Sequence, residues 1–430
     1  MGYNFLTMLR KRKLIKLKRL GLVASVLLVL AAGFFGWKRL NSEDKYTAFL
    51  LEVYDTIDAN YWNEKIDGDL LTYFKVGTEK LSSQIVIQSP LNRKGLQKML
   101  AKVIGSIKDE GKKKEFAVTM ADAVLAALPP AGRSRLYSQK QEVTLKNEVN
   151  NVNPDADLYQ NLGVAKGASQ EAVTRAYQEK VKSLEKQNTS EAKNQLAQVN
   201  KAYQTLSDTA SRQKYDQAGV QTTLESKLLR PNIFYLHLVR FSPTTMDDLV
   251  RVTSKVDQGS VLDTLIFDLR DNIGGAIDGL PYFLGPFIGN DTYAYQFYHR
   301  GEKTDYKTKT GWLNSLVRYK KVVILVNNQT QSSAEVMASV LKKYNVGVLV
   351  GTKTRGWGTV EKVFEIKNQL DKSEKYSIFL VHSLTLREDG NPIEGKGVDP
   401  EIDITNKNWP YQLYARFNSW EIVNGVKEVL

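Results

Sequence analysis

Cysteine is absent from all 430 residues. That absence excludes disulfides, thiolate metal sites and cysteine nucleophiles, and it is compatible with an exported chain without requiring one. Histidine is scarce as well. His237, His299 and His382 are scattered along the sequence, and each reads as a strand or loop residue rather than a metal ligand. No metal and no other cofactor is expected. Acidic residues are missing from residues 1–40, which carry nine cations and leave only +4 of the net +13 to the rest of the chain. The basic excess therefore belongs to one end and not to a folded face, which argues against nucleic-acid binding.

Residues 20–37, LGLVASVLLVLAAGFFGW, form an eighteen-residue run without a charge, closed by Lys38 and Arg39. Its length reaches the lower end of a membrane-spanning helix. Seven cations precede it and two follow, so the positive-inside bias keeps residues 1–19 cytoplasmic and places the bulk of the chain outside the cytoplasm. The expectation is a single-pass protein of the cell membrane, touching lipid through 20–37. The alternative is a cleaved signal peptide, with VLA at 29–31 as the small-residue site.

Beyond the anchor the chain has room for several compact units. YTAFLLEVYDTIDANYW (46–62) repeats apolar residues at helical spacing, and a second helical stretch covers 93–128 before Pro129, Pro130 and Gly132 break it. Residues 46–137 thus read as a helical region and 138–156, polar and Asn-rich, as a linker. A helical block fills 157–219. From about 225 to 410, strand-like runs (IFYLHLVRF, TLIFDLR, KVVILVNN, VGVLVGT, YSIFLVHSLTL) alternate with helical ones at 245–256 and 332–344, the pattern of an α/β core. Residues 411–430 are read as a C-terminal extension.

The block at 157–219 resembles a J-domain in LYQNLGV, GAS, NKAYQTLSD and KYDQAG. Leu162, Val173, Ala176, Val199, Tyr203 and Leu206 are expected to form its core, with Ser169 as an N-cap. The family works through a His-Pro-Asp loop between its long helices. Residues 183–188 read SLEKQN, so the resemblance implies the fold, and no chaperone partner is expected.

Four motifs then follow in order: DLRDNIGG (268–275), QTQSSAEV (329–336), GTKTRGWGTVE (351–361) and EDGNPIEGKGVDPEI (388–402). Together with 46–137 they resemble the C-terminal, or tail-specific, processing serine peptidases. The resemblance implies an α/β (α+β) peptidase core with a mixed sheet and flanking helices, a helical N-terminal region, and a polypeptide as substrate or client. A PDZ domain usually stands where this chain carries its J-like block.

Position by position, Ser332 matches the family's nucleophile and Glu335 a supporting hydrogen-bond partner. Backbone N–H groups of Ser333 and of Gly274 or Gly275 match the oxyanion hole. The base is usually a lysine, and its place is taken by Trp357; the family's glutamine four residues later is Glu361. An indole has an N–H donor and no basic lone pair, so it cannot take the serine proton. Some relatives use a histidine before the first core strand, but ESKLLRPNIF (225–234) has none. Three substitutes within this chain are Lys353 and Lys362, read as lying on the same strand, and His237; the remaining alternative is a base on another chain. Lys353 stands four residues from Trp357, roughly 13 Å along an extended strand. Two functions follow from these residues: a membrane-anchored serine peptidase with an altered base, or a pseudopeptidase that binds polypeptide as a scaffold. A membrane-tethered co-chaperone is the weakest of the readings, for want of the His-Pro-Asp loop.

Overall fold

The computed structural model describes residues 44–430 apart from 65–66, 83–89, 91, 188, 257–260 and 388. The basic tail and the transmembrane helix expected over 1–37 lie outside the described residues. Among those described, no helix is long and apolar enough to cross a membrane.

Four helices open the described chain: α1 (Lys45–Asn60), α2 (Asp67–Ser82), α3 (Arg93–Ser106) and α4 (Glu110–Ala127). In α1, Phe49, Leu50, Val53, Tyr54 and Ile57 recur at helical spacing and are buried, and Asp44 caps the first turn through Thr47 N–H at 3.2 Å. The stretch expected as one helix over 93–128 is two, because Asp109 starts a second cap by accepting Lys112 N–H at 2.8 Å. The LPPAGRSRLY turn then delivers β1 (Arg135–Ser138). This strand pairs antiparallel with β10 (Tyr376–Leu386), Arg135 opposite Phe379, so the helical region shares one apolar core with the far end of the chain.

Residues 138–156, expected as a linker, contain helix α5 (Gln139–Val149). Its start is a capping box: Ser138 N–H donates to Gln141 Oε1 at 2.9 Å, and Gln141 N–H donates back to Ser138 Oγ at 3.4 Å. None of its residues is fully buried, which is why apolar periodicity did not reveal it.

The J-like block comprises α6 (Leu158–Leu162), α7 (Gln170–Leu184), α8 (Ser190–Leu206) and α9 (Thr209–Ala218). Leu162, Val173, Val199 and Leu206 are buried as expected, and Ser169 caps α7 through Ala172 N–H at 3.2 Å. Ala176 stays outside that cluster, and half-buried Tyr203 stacks on Tyr177 with ring centroids 3.9 Å apart. The two ends of the block meet. Val152 bridges Val220, and Asn151 Nδ2 donates to the carbonyls of Gln221 and Thr222, both at 3.0 Å.

The α/β core is a six-stranded sheet in the order β11 (Ile402–Asp403), β8 (Val348–Gly351), β7 (Lys321–Val326), β4 (Thr264–Asp268), β3 (Ile233–Leu238) and β2 (Leu224–Arg230). All neighbours are parallel except the edge strand β2. Side chains alternate between faces. Leu265, Phe267, Val322, Ile324 and Val326 face one core with helices α10 (Thr245–Val256), α11 (Leu280–Ile288) and α12 (Ser333–Lys343). Ile266, Val323 and Leu325 face the other, which Leu413 of α13 (Trp409–Phe417) and Ile422 and Val423 of α14 (Trp420–Val429) cover. Residues 411–430 are therefore part of the core and not an appendage. A second, antiparallel sheet joins β1, β10, β5 (Tyr293–His299) and β6 (Glu302–Lys307), with β9 (Thr359–Glu365) also on β10. The run VGVLVGTKTRGWGTVE, expected as one strand, is split between β8 and β9 in different sheets by the loop 352–358.

Candidate active site

The turn from β7 into α12 carries Ser332. Its approach is pinned by Thr330 Oγ1, which donates to Leu269 O at 2.8 Å, and by Gln331 N–H, which donates to Asn272 O at 3.0 Å. Ser332 has φ 57° and ψ −126°, a conformation that a residue with a side chain holds only when its surroundings impose it. The constraint is the fully buried Glu335. Its Oε2 accepts Ser332 N–H at 3.0 Å and Trp357 N–H at 2.7 Å, while Oε1 accepts Gly356 N–H at 2.7 Å and the Thr354 hydroxyl. Burial pushes the Glu335 carboxyl above its ordinary value, and these four donors oppose that rise. Ser332 and Glu335 also close a capping box at the start of α12, with Glu335 N–H met by the Ser332 carbonyl at 2.9 Å and Ser332 N–H by Glu335 Oε2.

Facing this turn is the glycine pair. Gly274 has φ 88°, and a Cβ on it would stand 2.7 Å from Ser332 Cβ; Gly275 has φ 136°, and a Cβ on it would stand 2.0 Å from the Phe241 carbonyl oxygen. Gly274 N–H is committed to Asn272 Oδ1 at 2.8 Å. Among the described residues no acceptor meets Gly275 N–H or Ser333 N–H. Of the two glycines expected as oxyanion donors, Gly275 is thus the one whose N–H is available, alongside Ser333 at the start of α12. Asn272, fully buried, also donates from Nδ2 to Leu238 O at 2.8 Å and ties the glycine turn to β3.

On the other side stands Trp357. Its backbone shares the Glu335 Oε2 atom with Ser332, and its indole N–H donates to Glu361 Oε1 at 3.3 Å. The Arg133 guanidinium lies 3.5 Å from the indole ring centre and pairs with Glu394 at 3.0 Å. Glu394 in turn accepts Gly358 N–H at 2.8 Å. Burial pushes the Glu361 carboxyl up, against the bonds from Thr359 and Trp357 and the charge of Arg133.

The three substitutes are placed elsewhere. Lys353 Nζ lies 3.4 Å from Asp399 at a position more than half exposed. Lys362 alternates with Glu361 along β9, faces solvent, and donates to His382 Nε2 at 3.2 Å. His237 lies within β3, its Nδ1 3.5 Å from Glu225 Oε2 and its Nε2 3.2 Å from Arg270 O. Burial pulls its pKa down, but Glu225 and the charge of Asp268 outweigh that and leave it raised. None of the three lines the cavity that Ser332 lines.

That cavity, about 370 Å³, is walled by Gly274, Gly275, Ser332, Trp357 and Glu361 on the core side and by Leu145, Glu148 and Val149 of α5 on the other. Arg240 Nη1 donates to the Glu148 carbonyl at 2.7 Å and fastens the helix at the rim. Thr354, Arg133, Glu394, Arg240 and α5 escaped the sequence reading. Only the Ser138-x-x-Gln141 capping box left a local signal for α5.

A serine-bearing turn with two open N–H groups beside it has the donors that the oxyanion of an acyl-transfer intermediate requires. Residues 232–404 match Peptidase family S41. Over that span the α/β core resembles an S41 peptidase domain. Residues 157–216 match the DnaJ domain. The chain is 28% identical over 178 residues to a probable CtpA-like serine protease of Staphylococcus epidermidis, covering 41% of this chain and 35% of that protein. A carboxy-terminal-processing protease of Bartonella bacilliformis is 23% identical over 228 residues, 49% of each chain. A chloroplastic carboxyl-terminal-processing peptidase of Arabidopsis thaliana is 25% identical over 185 residues, 43% of this chain and 33% of that one. The chain thus spans between a third and a half of the length of these curated relatives. Among solved structures, the photosystem II D1 C-terminal processing protease matches with a TM-score of 0.49 and 13% identity over 84% of this chain and 93% of that one. Of the motifs that carry the resemblance, DLRDNIGG and QTQSSAEV lie on the two turns described above, and Trp357 and Glu361 stand where the resemblance implies lysine and glutamine.

Proposed function

We propose that the protein is a serine peptidase that cleaves polypeptide, with Ser332 as nucleophile and Gly275 and Ser333 N–H groups as oxyanion donors. The observation that carries this reading is the Ser332 turn. The capping box accounts for the bond between Ser332 N–H and Glu335, but not for the positive φ of Ser332 or its close packing against Gly274, a costly arrangement that a cap does not require. Glu335 acts by positioning, since its four bonds set the backbones of Ser332 and Trp357 against each other. Membrane anchoring through 20–37, with the S41 core outside the cytoplasm, completes the proposal and rests on the charge asymmetry of residues 1–40. The J-like block serves as a docking or spacing module, and residues 183–188 offer no His-Pro-Asp contact for a chaperone.

Labelling of the purified protein with a fluorophosphonate probe, beside Ser332→Ala, tests the reading. Labelling that depends on Ser332, with cleavage of unfolded substrate, is the expected result; its absence from the wild type sinks the peptidase. One observation favours a second reading, a non-hydrolytic polypeptide-binding scaffold: Trp357 fills the base position and is held there by Arg133. Capture of extended peptide without labelling would select it. A reporter fused after residue 45 checks topology, and a cytoplasmic signal there overturns the export claim.

A further inference from the structure

The peptidase reading leaves a proton without a destination, because the indole of Trp357 cannot accept it. We infer that Glu361 is the proton acceptor for Ser332, the carboxylate having taken over from the missing amine. The inference rests on the peptidase reading.

Four observations support it. Glu361 lines the same cavity as Ser332 and Gly275. Its Oε1 is fixed by two donors, Trp357 Nε1–H at 3.3 Å and the Thr359 hydroxyl, and its own backbone N–H also meets the carboxyl, whereas among the described residues no other residue donates to Oε2. Trp357, far from being inert in this arrangement, spans the two: its backbone N–H shares an oxygen of Glu335 with Ser332, and its side chain holds Glu361. Finally, the cation next to this pair is already balanced. Arg133 stacks on the indole and directs its guanidinium to Glu394, so it raises the local potential without capping Glu361. The remaining charged or titratable groups at the cavity are Tyr137, Glu148 and Arg240, the last held by a backbone carbonyl. Burial raises the Glu361 carboxyl, which moves a weak base toward the range where general-base catalysis works.

The proton accounting closes without any co-reactant except water. Glu361, directly or across one water, takes the hydroxyl proton as Ser332 Oγ bonds to the scissile carbonyl carbon, and the carbonyl π electrons move to the oxygen held by Gly275 and Ser333. When the C–N bond breaks, the proton passes from Glu361 to the leaving nitrogen. Water then adds to the ester, giving its proton to Glu361, and the proton returns to Ser332 Oγ as the acid product leaves.

Glu361→Gln separates this role from a structural one, because an amide oxygen still accepts the Trp357 N–H but takes no proton. Fluorophosphonate labelling of Ser332 in the wild type is expected to rise with pH along one ionisation. In Glu361→Gln that limb disappears and the rate falls about a hundredfold. In Glu361→Ala, added formate restores part of the rate. A wild-type rate that does not vary with pH overturns the inference whether or not either variant folds. Equal rates and profiles in wild type and Glu361→Gln, with Ser332→Ala unlabelled, also overturn it and leave the peptidase standing. No labelling of the wild type removes both.

Discussion

The two walls of the cleft are held by different kinds of force. On the Ser332 wall the constraints are backbone ones: two glycines and a serine at positive φ, and a buried carboxylate that accepts three N–H groups and a hydroxyl. On the opposite wall the constraints are between side chains, with Arg133 over Trp357, Trp357 on Glu361, and Glu394 as counter-ion. A backbone site tolerates no local substitution, because the chain itself would have to move. A side-chain site can be rebuilt by exchanging two residues four apart. The contrast explains how the S41 pattern can be intact at DLRDNIGG and QSSAE and altered at TRGWGTVE within one fold.

Substitutions that cross this divide should differ in scale. Gly275→Ala, whose Cβ would lie 2.0 Å from the Phe241 oxygen, should cut Ser332 labelling by about a hundredfold to a thousandfold, or prevent folding, as seen by labelling rate and circular dichroism. Glu335→Gln places an NH₂ group where only donors converge; thermal melting should show a loss of about 3 kcal/mol, and wild-type stability would refute the hub. Arg133→Ala removes a stacked, largely buried ion pair and should cost about 1–2 kcal/mol with a change in tryptophan fluorescence.

A smaller effect has a sign fixed by linkage. Burial raises the Glu361 pKa, so the folded chain binds more protons than the unfolded one between the unfolded and folded values, and stability falls as pH rises through that window from the ordinary glutamate range upward. Glu361→Gln should therefore melt above the wild type at neutral pH, with the difference closing in acid. Melting curves across that range check it, and a gap that widens in acid contradicts it. Lys353→Ala should change nothing beyond about 0.5 kcal/mol, because its pair with Asp399 is solvated; a loss of Ser332 labelling there would return Lys353 to the list of bases.

The residues of the Ser332 wall stood out in the sequence because each of its backbone requirements is local, while their proposed roles came from the family resemblance. Gly274 and Gly275 announce positive φ, and Ser332 and Glu335 are one helical turn apart. The helices 245–256 and 332–344 and the five strand runs were placed for the same reason, their periodicity being intact. The Trp357 wall was readable only as an oddity. Arg133 is 261 residues from Glu394, and nothing near either shows that they meet over Trp357. Splitting 346–361 between two sheets likewise depends on partners far away in the chain, as does the burial of α14 against β4 and β7. Helix α5 escaped because it earns its place through a cap and a cleft contact, with no apolar stripe.

The pairing of Val152 with Val220, closed by Asn151, has an architectural meaning. Both ends of the J-like block pass through this single doorway, and beyond it the block is braced on the core where Asp208 pairs with Arg251 and Lys255 and Lys214 pairs with Asp247. The doorway sits two residues past α5, so the block also rests its weight on one wall of the cleft.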